Sequence, residues 1–340
     1  MRFSAPEKGH SNGLGQNVRR EVQSEVRRHE LSVGADMAGE RLDRALARAL
    51  PEYSRTRLQG WIRAGQVRVD GEIAQTRAQL SEGQSVVLEA VLEPVIEDAP
   101  ERIALDIVYE DAALLVVNKP PGLVVHPGAG NRQGTLVNAL LHHAPELSHL
   151  PRAGLVHRLD KDTSGLLVVA KTTAAHAALV AALERREIHR EYLALVRGEI
   201  VAGTRIDAPI GRHPSARTRM AVNSRGRPAV THTRVVERIA GYTLLTVKLE
   251  TGRTHQIRVH LSHTGTPIVG DGTYGGRQVL TPGLSPAAAE AVRTFPRQVL
   301  HAKRLGFVHP VSSEDMSFEA ELPADIAALL AVLRESDQQE

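Results

Sequence analysis

Charged and hydroxyl side chains are concentrated in one short stretch, Gly154 to Gly165, which reads GLVHRLDKDTSG. The apolar, branched run Leu166–Ala170 follows it directly and predicts a buried strand. A carboxylate fixed beside a rigid strand can act as a nucleophile or stabilise developing positive charge. We therefore interpret the stretch as a catalytic loop whose acid is Asp160. The alternative is a solvated turn in which the acids and hydroxyls serve local hydrogen bonds.

Several strings, taken together, carry a resemblance to a known family. His157–Gly165 resembles the catalytic signature of the RluA family of pseudouridine synthases. Further strings resemble the same family in the same order: Asn118-Lys119-Pro120-Pro121-Gly122, Val125–Asn131, Arg190-Glu191-Tyr192, Arg212-His213-Pro214, Thr251–Arg258 and Leu300-His301-Ala302. An ordered set is far more specific than any single string, and the resemblance extends from about Gly39 to the final helix.

The resemblance implies an isomerase that converts uridine to pseudouridine in 23S ribosomal RNA, in the stem-loop called helix 69. The reaction breaks the bond from ribose C1′ to uracil N1, turns the base and rejoins it through C5. The base must first be flipped out of its stack. An aspartate could then stabilise charge at C1′, attack C1′ covalently or remove a ribose proton, and these routes stay open. None of them requires a cofactor or a metal.

The resemblance also assigns roles to single residues. Asp160 is the indispensable carboxylate, and Tyr192 stacks on the flipped uracil. A carboxylate in a desolvated pocket stays ionised only beside a cation, and the family pattern gives that ion pair to Arg258, with Arg253 nearer the phosphates. Arg158 fills the gap that the extruded nucleotide leaves. We also expect RNA contacts from His157 and Lys119. The alternatives are that Lys119 is an exposed lysine in a turn, that Tyr192 is a packed core residue, and that Arg253 or Arg258 forms an ion pair that only stabilises the fold.

Composition limits the other possibilities. A chain of 340 residues exceeds one typical core, which predicts two domains. The formal charge is only +3, so affinity for RNA must come from clustered basic residues. The absence of cysteine excludes disulfides and thiolate chemistry. No apolar run approaches the ~20 residues of a membrane helix, and we expect a cytoplasmic protein without a membrane partner.

The first third of the chain predicts an RNA-binding unit. Residues 1–31 lack apolar periodicity and predict a disordered leader. Residues 32–92 resemble an S4 RNA-binding domain, with two short helices, the second from Ser54, followed by strands. Each arginine of this unit could contact an RNA phosphate, a contact that does not depend on the RNA sequence. These arginines are Arg41, Arg44, Arg55, Arg57, Arg63 and Arg68. The alternative is that several pair with Glu40, Asp43 and Glu52.

The rest predicts a separate catalytic domain. The acidic, Pro-containing residues 93–101 predict a linker, and residues 102–336 the catalytic unit. Strand-like segments at 114–118, 123–126, 192–196, 230–237 and 244–250 alternate irregularly with helices from Thr135 and Thr173. Paired strands joined by turns favour an α+β fold with a mainly antiparallel sheet. The resemblance implies the pseudouridine synthase fold, in which a central cleft divides such a sheet.

Other readings remain at this stage. We expect a monomer that binds large-subunit ribosomal RNA, alone or in a pre-50S particle. A different ribosomal site or a transfer RNA could be the target. From other classes of protein, the alternatives are a noncatalytic RNA-binding assembly factor and a sugar-active hydrolase. Zinc is not expected, because His255, His260 and His263 do not share one helix face and no cysteine completes a set.

Overall fold

The computed structural model describes residues 25–53, 55–92, 98–128, 131–216, 218–276 and 280–338. A four-stranded sheet and a nine-stranded sheet organise these residues, together with one separate hairpin. The smaller sheet lies within residues 25–92, and the larger one lies within residues 107–319. The predicted α+β class is confirmed.

The N-terminal unit packs two helices on its sheet. Helices α1 (Leu42–Ala49) and α2 (Arg55–Arg63) bury apolar side chains such as Leu42, Leu46, Leu58 and Ile62 against the sheet. The strands are β1 (Glu25–Ser32), β2 (Val67–Val69), β3 (Glu72–Ile73) and β4 (Ser85–Leu92), in the order β1-β4-β2-β3. The turn Asp70-Gly71 joins β2 to β3, and both of its residues have positive φ, as the tightest hairpin turns require.

The prediction of a disordered leader over residues 1–31 is wrong for residues 25–31. These residues form most of β1, which pairs antiparallel with β4 from Glu25 opposite Leu92 to Ser32 opposite Ser85. The strand has few apolar side chains because it lies at the sheet edge, where backbone hydrogen bonds to one neighbour stabilise it. Residues 1–24, the helix start at Ser54 and residues 93–97 of the predicted linker lie outside the described residues.

The larger sheet is mainly antiparallel. Its strands are β5 (Ile107–Glu110), β6 (Leu114–Lys119), β7 (Ser164–Ala170), β8 (His189–Arg197), β9 (Arg205–Asp207), β12 (Val230–Ile239), β13 (Tyr242–Leu249), β14 (Leu300–Val308) and β15 (Asp315–Glu319). They run in the order β5-β6-β7-β14-β8-β13-β12-β9, with β15 beside β14. Strands β10 (Ile210–Arg212) and β11 (Met220–Val222) form the separate hairpin. Only β7 and β14 pair in parallel among the described strands.

Helices cover both faces of this sheet. They are α3 (Leu136–His143), α4 (Thr173–Glu184), α5 (Gln256–His263), α6 (Pro286–Thr294) and α7 (Ala324–Asp337). Every residue of β7 is buried, because α4 packs on one face of the strand while the core containing α3 lies on the other. This accounts for the uninterrupted apolar run at Leu166–Ala170. Among the described residues, no helix is long and apolar enough to cross a membrane.

One local prediction was wrong. Residues 123–126 form no strand, because Val124 makes only an isolated bridge to Thr135. The residue before α5 is His255, which lies in the left-handed region at φ 56°. Within the string Val125–Asn131, Ala129 and Gly130 lie outside the described residues.

Candidate active site

The catalytic loop is fixed where β7 begins. The backbone N–H of Thr163 donates to the carbonyl of Asp160 at 3.1 Å, which closes a turn. Ser164 lies opposite His301 in the parallel pair, and Ser164 Oγ is 3.0 Å from His301 Nδ1. Gly165 has φ 112°, and a Cβ there would lie 2.2 Å from the carbonyl oxygen of Ala302. Only glycine permits this approach, so the strand pairing dictates where the loop ends.

Lys119 supports the loop from inside the protein. Its side chain is completely buried, and its Nζ donates to the carbonyls of Pro120, Leu123 and Lys161 at 2.7 to 3.0 Å. Burial lowers the pKa of Lys119 to about 7, against the opposing charges of Asp162 and Asp160. The prediction that Lys119 touches RNA is therefore wrong. Lys119 is the last residue of β6, and its side chain is directed inward, where its three carbonyl partners replace water.

A second support comes from the segment before β14. Arg297 donates from Nη1 to the carbonyl of Asp162 at 3.1 Å, while its other nitrogens bind Asp325 at 2.7 and 2.8 Å. Asp325 lies in the first turn of α7. Gln298 donates to Thr163 Oγ1 at 3.1 Å. The C-terminal helix is thus linked to the loop that carries Asp160 by one buried guanidinium.

The expected ion pair of Asp160 is present. Arg258, on α5, donates from Nη1 to Asp160 Oδ2 at 2.9 Å, and the two side chains are only 8% and 15% exposed. Arg258 also donates from Nε and Nη2 to Asp271 at 2.7 and 2.9 Å. Burial lowers the pKa of Arg258, but the two carboxylates outweigh this and raise it above its ordinary value. Arg258 therefore stays a cation shared between two acids.

Sequence reasoning missed Asp271. Its Oδ1 accepts from the backbone N–H groups of Thr273 and Tyr274, both at 2.9 Å. Burial raises the pKa of Asp271, but hydrogen bonds from Arg258 outweigh this and lower it. The sequence signal for this residue is an acid within a Gly-rich turn after the apolar pair Ile268-Val269.

His255 and Tyr274 complete the surroundings of the carboxylate. His255 Nε2 lies 3.8 Å from Asp160 Oδ1, and its Nδ1 lies 2.7 Å from the Tyr274 hydroxyl. That hydroxyl accepts from the N–H of Met220 at 2.9 Å, which leaves its own proton for Nδ1 and directs the imidazole Nε2–H toward Asp160. Burial lowers the pKa of His255. The Tyr274 ring also lies 5.0 Å from the Arg258 guanidinium carbon.

These groups open into a cleft of about 520 Å³. Its lining includes Asp160, Tyr192, His157, Arg158 and Arg253. Tyr192 is 5% exposed, and burial raises the pKa of its hydroxyl. Arg158 is exposed and has no hydrogen bond or ion pair to any part of the chain that the structure describes. The structure thus brings the predicted catalytic residues and three predicted RNA contacts to one cleft.

Two of these predicted RNA contacts also bind the protein itself. The backbone N–H of Val168 donates to His157 Nε2 at 3.3 Å, and burial lowers the pKa of His157 to about 3. The imidazole is therefore neutral and carries its proton on Nδ1. Arg253 donates from Nε to the carbonyl of Pro228 at 3.1 Å, which leaves its Nη groups toward the cleft.

In the N-terminal unit, the arginines divide into two groups. Arg55 and Arg41 bind the buried carboxylate of Asp43 at 2.7 and 3.1 Å, so for them the ion-pair alternative holds. The ion pair of Arg55 with Asp43 joins α2 to α1, rather than linking two residues of one helix. Arg57 lies over the Trp61 ring at 5.3 Å, and Arg68 is exposed and binds the carbonyl of Gly71 at 3.0 Å. Both still present charge at the surface.

Two of the three histidines considered for zinc, His255 and His260, have separate environments. His260 is buried, with Nδ1 2.9 Å from Thr231 Oγ1 and Nε2 2.9 Å from the carbonyl of Ala208. His255 faces Asp160 and Tyr274. No group of three or more potential metal ligands occurs in the described ranges.

Comparisons with known proteins agree on one family. Residues 113–263 match the family model described as RNA pseudouridylate synthase, and residues 40–86 match the S4 domain. A ribosomal large subunit pseudouridine synthase D from Xanthomonas campestris is 52% identical over 88% of this chain and 90% of its own length. Its counterpart from Pseudomonas aeruginosa is 50% identical over 92% and 98%. The solved structure of human RNA pseudouridylate synthase domain containing 1 is 31% identical, with a TM-score of 0.50, over 66% of this chain and 85% of that chain.

Proposed function

The chain belongs to the family of RNA pseudouridylate synthases, and on this premise we propose that it isomerises uridine to pseudouridine in large-subunit ribosomal RNA. The observation that carries the proposal is the pair of Asp160 and Arg258 at 2.9 Å, within a cleft that Tyr192 also lines. The relatives carry the name of ribosomal large subunit pseudouridine synthase D. We further propose that the target lies in the helix 69 stem-loop.

The chemistry follows from the groups in the cleft. The uridine enters as a flipped nucleotide, and the exposed Arg158 takes its place in the RNA stack. Tyr192 supplies an aromatic face for the base. As the bond from C1′ to N1 breaks, positive charge at C1′ develops beside the Asp160 carboxylate, which stabilises it or bonds to C1′. The bond from C1′ to C5 then forms, and the proton leaving C5 is balanced by one gained at N1.

The environment of Asp160 suits this role. Arg258 fixes the carboxylate by one hydrogen bond, and it binds Asp271 with its other donors. Asp160 is therefore held without being fully neutralised, which leaves electron density for C1′. The loop supports at Lys119 and Arg297 restrict its movement, and such preorganisation is the main source of electrostatic catalysis.

Affinity for RNA is proposed to come from two regions. At the cleft, the half-buried Arg253 meets a phosphate near the target. The N-terminal unit, which includes β1 and therefore begins at residue 25 rather than 32, adds contacts that do not depend on the RNA sequence through Arg57 and Arg68. Arg55 contributes mainly by holding Asp43. We propose that the protein acts as a monomer in the cytoplasm on large-subunit RNA or a pre-50S particle.

One experiment tests this function directly. Purified protein is incubated with a 23S RNA transcript, and pseudouridines are mapped by chemical labelling before and after. The same map is made of ribosomal RNA from cells with and without the gene. New pseudouridine at defined uridines is the expected result. Modification of transfer RNA alone would show that transfer RNA, rather than ribosomal RNA, is the substrate. Release of free uracil would indicate a hydrolase, and binding without modification would indicate an assembly factor.

A further inference from the structure

Arg190 is a buried arginine whose guanidinium has no hydrogen-bond or ion-pair partner among the described residues. Its side chain is 9% exposed, and Nε is buried with no hydrogen-bond partner. Within the described ranges, no carboxylate lies within ion-pair distance of Arg190. It nevertheless lines the same cleft as Asp160. Removing a charge from water without a partner is costly, so this position is unfavourable for the empty protein.

The described residues that line the cleft with Arg190 include further hydrogen-bond donors. Tyr192, two residues along β8, shares its face of the strand and carries a hydroxyl. His157 lines the same cleft, and its protonated Nδ1 is likewise buried without a partner. The neighbouring acid Glu250 is already paired with Arg186 and His232. Two buried donors, Arg190 Nε and His157 Nδ1, thus lack an acceptor among the residues that the structure describes, and unpaired donors are what an anion site requires.

Gly252 shapes one wall of this site. A Cβ at Gly252 would lie 2.8 Å from Arg190 Nη1, and the glycine itself is exposed. The backbone at Gly252 therefore contacts the guanidinium closely and holds it between strand and loop. Arg253, the next residue, also faces the cleft.

We propose that Arg190 binds a phosphate of the RNA backbone next to the flipped uridine. This inference rests on the proposed function. A phosphodiester carries a full negative charge before the reaction begins, whereas uracil is neutral until its bond to ribose breaks, so only the phosphate matches the guanidinium in the ground state. Residues two apart on a strand are separated by about 6.6 Å, which lies within the reach of one nucleotide whose base contacts Tyr192. Arg190 is then a binding residue that fixes the sugar over Asp160.

The test uses Arg190→Gln, Arg190→Lys and Gly252→Ala in the full-length protein. The RNA is a stem-loop containing the mapped uridine, with the phosphates on either side replaced one at a time by uncharged methylphosphonate. Arg185→Gln is the matched control, because Arg185 is an exposed arginine paired with Glu187 outside the cleft lining. Dissociation constants are measured at several salt concentrations, together with kcat and thermal midpoints.

We expect Arg190→Gln to weaken binding by about tenfold and to reduce the salt slope by about 0.7, the loss of one phosphate contact on single-stranded RNA. Arg190→Lys should recover part of the affinity, and Gly252→Ala should weaken binding with the charge still present. One methylphosphonate should weaken the wild type but add nothing to Arg190→Gln. The control should leave affinity and salt slope unchanged.

The contrary results are separable. If each methylphosphonate weakens RNA binding by Arg190→Gln as much as it weakens binding by the wild type, Arg190 contacts neither phosphate and the proposal is overturned. A fall in kcat with unchanged affinity and salt slope would also overturn it, and would assign Arg190 to the departing base. If Arg190→Gln does not fold, equal binding by Arg190→Lys, Gly252→Ala and the wild type would still reject the proposal. Pseudouridine formation by the wild type shows in every case whether the proposed function itself stands.

Discussion

Asp271 accepts two hydrogen bonds from Arg258, at 2.7 and 2.9 Å, and thereby fixes the guanidinium that reaches Asp160. Asp160 itself receives only one hydrogen bond from Arg258, at 2.9 Å. A single arginine is therefore positioned by one acid, which lies off the catalytic loop, and presented to another. The division of its donors makes the roles of the two acids separable by mutation.

Replacing Asp160 by Asn should abolish turnover. The amide keeps the shape of the side chain but removes the negative charge that faces C1′. RNA affinity should stay within about tenfold of the wild type, because phosphate contacts dominate binding. Pseudouridine formation and RNA binding are measured on the same preparation. Full modification by Asp160→Asn would disprove the assigned mechanism.

Replacing Asp271 by Asn should lower kcat by about tenfold or more, since misplacement of a catalytic group by a fraction of an ångström has effects of this size. Asn retains an oxygen for the N–H groups of Thr273 and Tyr274 but loses the charge that holds Arg258. Single-turnover kinetics and the dissociation constant for RNA separate the two effects. An unchanged kcat would show that Asp160 alone positions Arg258.

Replacing Lys119 by Met should destabilise the protein by about 2 to 4 kcal/mol, because three buried carbonyls lose their donor. Lys161→Met is the control, since Lys161 lies in the same region but is exposed. Denaturant unfolding is the measurement. Equal stability of the two variants would contradict the supporting role of Lys119, and loss of RNA affinity by a folded Lys119→Met would restore the original phosphate prediction.

The link from α7 to the catalytic loop should matter for turnover. Asp325→Asn removes the charge that orients Arg297 toward the carbonyl of Asp162, and we expect kcat to fall several-fold. Glu237→Gln is the matched control, because Glu237 binds Arg334 of the same helix at 2.7 Å without touching the loop. Thermal midpoints should fall similarly in both. Equal kcat values would show that α7 contributes only stability.

Acid should unfold the N-terminal unit through Asp43. Burial raises the pKa of Asp43, but hydrogen bonds from Arg55, Gln59 and Arg41 outweigh this and lower it from 3.8 to about 2. The lowered pKa contributes about 2 kcal/mol of stability above pH 4 that is lost as the pH falls toward 2. Asp43→Asn should be less stable at neutral pH and lack this dependence.

The measurement for Asp43 is fluorescence. Trp61 is the only tryptophan of the chain and lies in α2, where it is 7% exposed. Its emission therefore follows this unit alone during acid titration of the full-length protein. If the wild type and Asp43→Asn lose stability over the same pH range and to the same extent, the Asp43 carboxylate is not the acid-sensitive group.

Much of this protein could be predicted from sequence because the information was local. Asp160, the strand after it and the helix at Thr173 depend on neighbouring residues, since a short apolar run or a charged loop is set by adjacent side chains. The order of the family strings then indicated the chemistry and the pairing of Asp160 with Arg258.

Only the tertiary structure decided how buried polar groups are matched. Arg258 and Asp160 are 98 residues apart, and Ser164 and His301 are 137 apart. Whether a charged side chain lies inside or outside depends on such distant partners, because a buried charge is tolerated only where other segments supply its hydrogen bonds. This is why Lys119 lies inside rather than at the surface and why the pairing of Arg258 with Asp271 does not follow from local sequence. It is also why the lack of a partner for Arg190 among the described residues is seen only in the folded chain.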